Sequence, residues 1–134
     1  MRLLFAIVFA LLVGTASEAQ TDAAKALVGK WEGEVQQRGV GGGDPNRTLI
    51  IQSVGEKDGK WVAAGRYGVT GKGLGSVQID VDTSSKWPSI RFVTGANSTV
   101  RLNLLDERSM AGTITFAGTS QTGNDRSMKL GKVE

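Results

Sequence analysis

Leu74–Asp82, LGSVQIDVD, alternates apolar and polar residues: Val77, Ile79 and Val81 fall on one side, with Gln78, Asp80 and Asp82 on the other. A period of two belongs to a β-strand, whose successive side chains point to opposite faces. The alternation returns at 98–105 (STVRLNLL), where Val100, Leu102 and Leu104 oppose Thr99, Arg101 and Asn103. It returns again at 109–117 (SMAGTITFA), with Met110, Ile114 and Phe116 against Thr113 and Thr115. Less regular stretches occupy 30–37, 47–54, 60–67, 89–94 and 126–133. Turn residues separate them, at 56–59 (EKDG), 83–88 (TSSKWP), 106–108 and 118–125. About eight short strands, each apolar on one face, predict an all-β antiparallel fold of barrel or sandwich type. The expected architecture is a small up-and-down barrel. The helical candidate is Asp22–Val28, one or two Ala-rich turns that Thr21 is placed to cap.

Ahead of this domain lies an export signal. Arg2 supplies a positive start, Leu3–Val13 (LLFAIVFALLV) is unbroken apolar sequence, and Ser17 and Ala19 are small residues at the −3 and −1 positions of a cut before Gln20. The apolar run is too short to span a bilayer comfortably. No Cys follows it, so a lipid anchor on an N-terminal Cys is excluded. Residues 1–19 are therefore read as a signal peptide and 20–134 as a single barrel domain, without a stable membrane anchor. The 115 residues that remain are enough to bury a core without staples.

The chain contains no His and no Cys. That removes thiol and Ser–His hydrolases, most zinc sites, haem and iron–sulfur ligation, and disulfides. No metal and no cofactor are expected. The net charge of +3 and pI of about 9.5 are mildly basic, with both signs interspersed. No basic run points to nucleic acid.

The short helical candidate leads into Gly29–Lys30–Trp31 at the start of the first strand. This resembles the G-x-W signature of lipocalins and their calycin relatives, and it rests on Gly29 and Trp31. The resemblance implies that Trp31 closes one end of an up-and-down barrel while the other end opens onto a ligand cavity. It also implies a cationic residue from the last strand packed on that Trp. Arg126 begins the last strand and Lys132 lies near its far end, so both are candidates. The family's Thr-Asp-Tyr pattern is absent.

The remaining chemistry is sparse. Gly39–Gly43 (GVGGG) and Gly68–Gly75 (GVTGKGLG) lack phosphate-loop spacing and a following helix, so they read as loops, with Lys72 placed to meet an anion at a barrel mouth. Glu32 and Glu34 share one strand face, roughly 7 Å apart by strand rise. Asp80 and Asp82 are arranged likewise, with Arg91 or Arg101 as cross-strand partners. Both pairs read as solvated outer face. Trp61, Tyr67, Trp87, Phe92 and Phe116 are the candidate ligand-binding residues: inward aromatics fill a core or line a cavity, while Trp87, beside Pro88 in a turn, is the most exposed candidate. Asn46–Arg47–Thr48 and Asn97–Ser98–Thr99 are glycosylation sequons, meaningful in a eukaryotic secretory pathway.

The expected function is that of an exported, non-catalytic binding protein, periplasmic or secreted, whose partner is a small apolar molecule held in the barrel. The alternative is a protein-binding or hydrolase-inhibitor module acting on another exported protein through loops such as Gly39–Pro45 and Thr83–Pro88. Small periplasmic barrels that inhibit hydrolases resemble this layout, though they usually carry a disulfide. A void of a few hundred Å³, the lower range for ligand pockets, favours the first reading, and a packed interior favours the second. The signal predicts a mature protein that begins at or near Gln20. Intact-mass measurement of exported material checks this, and retention of residues 1–19 overturns it.

Overall fold

The computed structural model describes residues 22, 24–36, 44–116 and 125–133. The signal segment 1–19, the cut before Gln20, the Thr21 cap, most of the Gly39–Pro45 loop and all but the last residue of the 118–125 turn lie outside the described residues. Eight strands follow in order: β1 (Gly29–Val35), β2 (Asn46–Lys57), β3 (Lys60–Val69), β4 (Gly75–Asp82), β5 (Ser89–Val93), β6 (Thr99–Asp106), β7 (Ser109–Thr115) and β8 (Asp125–Lys132). Each pairs antiparallel with its sequence neighbour, and β8 returns to pair with β1, which closes the sheet into a barrel. Closure leaves no unpaired strand edge.

The period-two faces turn inward. Val77 and Ile79 on β4, Val100, Leu102 and Leu104 on β6, Met110 and Ile114 on β7, and Met128 and Leu130 on β8 are buried in one core cluster. An eight-stranded barrel has an interior just wide enough for side chains to fill. On β2 the alternation breaks, because Leu49 and Ile51 face inward and the next inward apolar residue is Val54. The structure resolves this with a register shift between Ile51 and Ser53, a bulge that moves the strand by one residue and restores its parity. Beyond it, β2 runs on to Lys57, opposite Lys60, so the turn is shorter than EKDG suggests. Its two central residues, Asp58 (φ 52°) and Gly59 (φ 78°), are both left-handed, as a two-residue hairpin of the primed kind requires.

Three inward strand positions, Gly33, Gly65 and Gly112, carry glycine because the neighbouring chain passes too close. A Cβ on Gly33 would overlap the Lys129 carbonyl oxygen, and one on Gly112 would overlap the Arg101 carbonyl oxygen. Such positions let a small barrel bend sharply.

One end of the barrel is plugged. The segment from Asp22 turns once, with the Ala26 amide donating to the Asp22 carbonyl at 3.3 Å, and it buries Ala24 and Leu27. Trp31, fully buried, donates its indole Nε1–H to the Leu27 carbonyl at 2.9 Å. Across the seam Lys132 lies opposite Trp31, its ammonium 5.5 Å from the ring centroid, and it donates to the Ala26 carbonyl at 2.9 Å. Lys132, and not Arg126, is therefore the cation packed on Trp31. The antiparallel pairing decides this, because it sets the end of β8 beside the start of β1.

Trp31→Phe keeps a ring beneath Lys132 but leaves the buried Leu27 carbonyl without its indole donor. The expected cost is about 1–3 kcal/mol, against ~3–5 kcal/mol for Trp31→Ala, which empties the plug. Urea unfolding of the two variants checks the order. A cost below ~1 kcal/mol for Trp31→Ala would deny Trp31 its sealing role.

Candidate functional site

The two ends of the barrel differ in chemistry. The plugged end holds the starts of β1, β3, β5 and β7, and the open end holds their far ends. The five candidate aromatics divide between them. Trp61, at the start of β3, is half-buried and lies opposite Glu56 and Val81 near the plugged end. Trp87 precedes β5 at the same end and is half-buried against the core, with the Lys86 ammonium 5.8 Å from its ring centroid. Tyr67, Phe92 and Phe116 belong to the open end. Tyr67 and Phe92 meet edge to face with centroids 5.2 Å apart, and Phe116, just after β7, is half-buried against the same core. Of the five, Tyr67 and Phe92 are the pair whose rings meet.

The interior between them is filled by a single cluster of apolar side chains. Two clefts formed by the described residues run along the strands and are open to solvent. One of about 670 Å³ lies over Ser53–Lys57, Val62–Ala64 and Ser76–Gln78, and another of about 320 Å³ lies over Asp80, Asp82, Arg91 and Arg101. Neither is an enclosed chamber.

Two residues that sequence reading left out of the site join Tyr67 at the open end. Arg126 lies opposite the buried Ile114 and shares its strand face with Met128 and Leu130, so its side chain is directed inward. Its Nη1 is buried and has no hydrogen-bond partner among the described residues. The Tyr67 hydroxyl is in the same condition, in a residue only 8 % exposed. Arg47 shares the inward face of β2 with Leu49 and Ile51, and its Nη1 donates to the Asn46 carbonyl at 3.1 Å and to the Asp44 carbonyl. Burial pushes the Tyr67 pKa above its ordinary 10.0. The Arg47 guanidinium pulls it partly back, by its charge and by its approach to the hydroxyl. At neutral pH Tyr67 is thus a neutral donor. The parity of Arg126 with Met128 and Leu130 was the available signal for its inward position.

The carboxylate pairs lie on the outside. Glu32 is 3.4 Å from Lys30, and Asp80 is 3.7 Å from Arg91, which is the partner chosen over Arg101. Hydrogen bonds from Ser84 hold the exposed Asp82 carboxyl below its ordinary value. Among the described residues no three acidic side chains converge as a metal site would need.

No protein-family model, curated protein or solved structure matches the chain.

An unpartnered buried hydroxyl costs stability, about 1–3 kcal/mol for the lost hydration. Tyr67→Phe is therefore expected to hold or raise stability at pH 7, where most truncations of a buried residue lower it. The raised pKa means that the folded state keeps this proton more tightly than the unfolded chain. Its contribution is whole below pH 10 and declines as pH rises beyond it. Urea unfolding at pH 7 and at pH 11 checks both points, with Tyr67→Phe expected to show the shallower alkaline loss.

Proposed function

We propose that this chain is an exported, non-catalytic binding protein with a lipocalin-like barrel, active in the periplasm or outside the cell, whose small, partly apolar ligand enters at the open end. The observation that carries this reading is a pair of buried polar atoms towards the open end, the Tyr67 hydroxyl and Arg126 Nη1, each without a partner among the described residues, with the Phe92 ring packed on Tyr67. Buried polar groups are almost always paired, and an orphan asks for a water, an ion or a ligand to complete it. In this reading the ligand sits at the mouth of the barrel, which the packed interior and the half-buried Phe116 support. A non-catalytic role fits the acidic residues, which stand solvated or salt-bridged on the outer face, and a composition without His or Cys. The G-x-W start and the Trp31 plug support the lipocalin-like assignment.

By the cavity criterion the packed core favours a second reading, a protein-binding or inhibitory module that uses its loops. In that case Trp87 in the 83–88 loop is the natural anchor, since it keeps part of its ring exposed.

Native mass spectrometry of protein purified from its export compartment distinguishes the two. A 1:1 adduct of a few hundred daltons, lost on solvent extraction together with part of the thermal stability, is the expected outcome. A bare barrel that co-purifies with another exported protein, and loses it on Trp87→Ala, would replace the first reading with the second.

A further inference from the structure

Arg126 carries a permanent positive charge into a partly desolvated place, and nothing described there neutralises it. The ion pairs among the described residues, Lys30–Glu32 and Arg91–Asp80, are both on the outer face. The carboxylates at the open end, Glu34, Asp44 and Asp125, are exposed, and none forms an ion pair with Arg126. Asp125 accepts from the Thr115 hydroxyl at 2.6 Å, Asp44 accepts from the Asn46 amide at 2.9 Å, and Glu34 is exposed on the outer face of β1. A second guanidinium, that of Arg47, belongs to the same end, on the inward face of β2, where it donates to the Asp44 and Asn46 carbonyls.

A charge withdrawn from water without a counter-ion is costly, and the cost falls when an anion arrives. A cation would be repelled by the two arginines, and a neutral ligand would leave the charge unanswered. A guanidinium offers parallel N–H donors whose fork matches a carboxylate, and a neutral phenol adds one more donor. The filled core leaves no chamber for a long chain, so the apolar part must be short, and the rings at the mouth suit a flat one.

We infer that the open end recognises a small organic carboxylate with a short, flat apolar body, Arg126 and Tyr67 donating to the carboxylate and Arg47 supplying charge at the rim. This rests on the ligand-binding reading above and adds the charge and size of the ligand.

The test uses the full mature chain, ¹⁵N-labelled, titrated at low salt with benzoate, with benzyl alcohol as its neutral match, and with inorganic phosphate. Benzoate is expected to shift amide signals at the ends of β3 and β7 and the start of β8, and to bind at least tenfold more tightly than benzyl alcohol. Arg126→Gln and Tyr67→Phe should each weaken benzoate about tenfold or more without changing benzyl alcohol, while Arg91→Gln on the outer face changes neither. If Arg126→Gln does not fold, Arg126→Lys keeps the charge but not the fork and carries the same expectation, and Tyr67→Phe stands as an independent variant. Equal binding of benzoate and benzyl alcohol, or benzoate binding unchanged in the folded variants, overturns the anion site and leaves the ligand-binding reading intact. Phosphate bound as tightly as benzoate, and lost in Arg126→Gln, supports anion recognition and removes the apolar ligand. No binding by any probe at millimolar concentration overturns the carboxylate proposal, and only a bare protein from the host overturns the broader reading.

Discussion

The register in which β8 meets β1 is the constraint from which the rest of the structure follows. It sets Trp31 opposite Lys132, and that pair builds the plug: the indole holds the Leu27 carbonyl and the ammonium holds the Ala26 carbonyl. Slipping β8 by one residue would turn Met128 and Leu130 to solvent and bring Lys129 inside. The same register brings Gly33 against the carbonyl of Lys129, a contact only glycine can make. Seam, plug and strand curvature are therefore one arrangement, and a change in any of them is felt by the others.

A barrel sealed at one end presents its inward chemistry at the other. Apolar side chains fill the middle, so the polar inward residues are confined to the ends, where Lys132 is satisfied by the plug and Arg126 and Tyr67 are not. The contrast is physical. Lys132 has a backbone carbonyl and an aromatic face within reach, whereas Arg126 occupies the equivalent inward position at the opposite end of the same strand without an equivalent partner.

Much of the fold was legible in the chain. Val77, Ile79 and Val81, and then Val100, Leu102 and Leu104, announced the strands because half-buried sheets impose a strict period of two. β2 was less regular because a bulge changes parity in mid-strand, and no local pattern in LIIQSV distinguishes a bulge from an irregular strand. The site was legible in part. Tyr67, Phe92 and Phe116 were visible as aromatics on inward faces, but Trp61 and Trp87, equally aromatic, belong to the other end, and only the strand directions sort them. In sequence Arg126 reads as a candidate neighbour of Trp31 and not as a site residue, since composition makes an arginine a surface residue until its strand parity is counted. The missing partners of Arg126 and Tyr67 are properties of three-dimensional packing and leave no trace in sequence.

The seam also governs when the fold can exist. Ala26 and Lys132 are joined by a hydrogen bond across 106 positions of chain, so the ring cannot close before β8 has emerged and found β1. Hairpins such as β2–β3 and β6–β7 assemble from local contacts, but each presents an open edge until the circle is complete. Closing so distant a pair is entropically slow, and folds dominated by such pairings gain their native contacts late. A nascent chain of this design thus keeps open-edged hairpins until its final strand is released, and its core is completed only then.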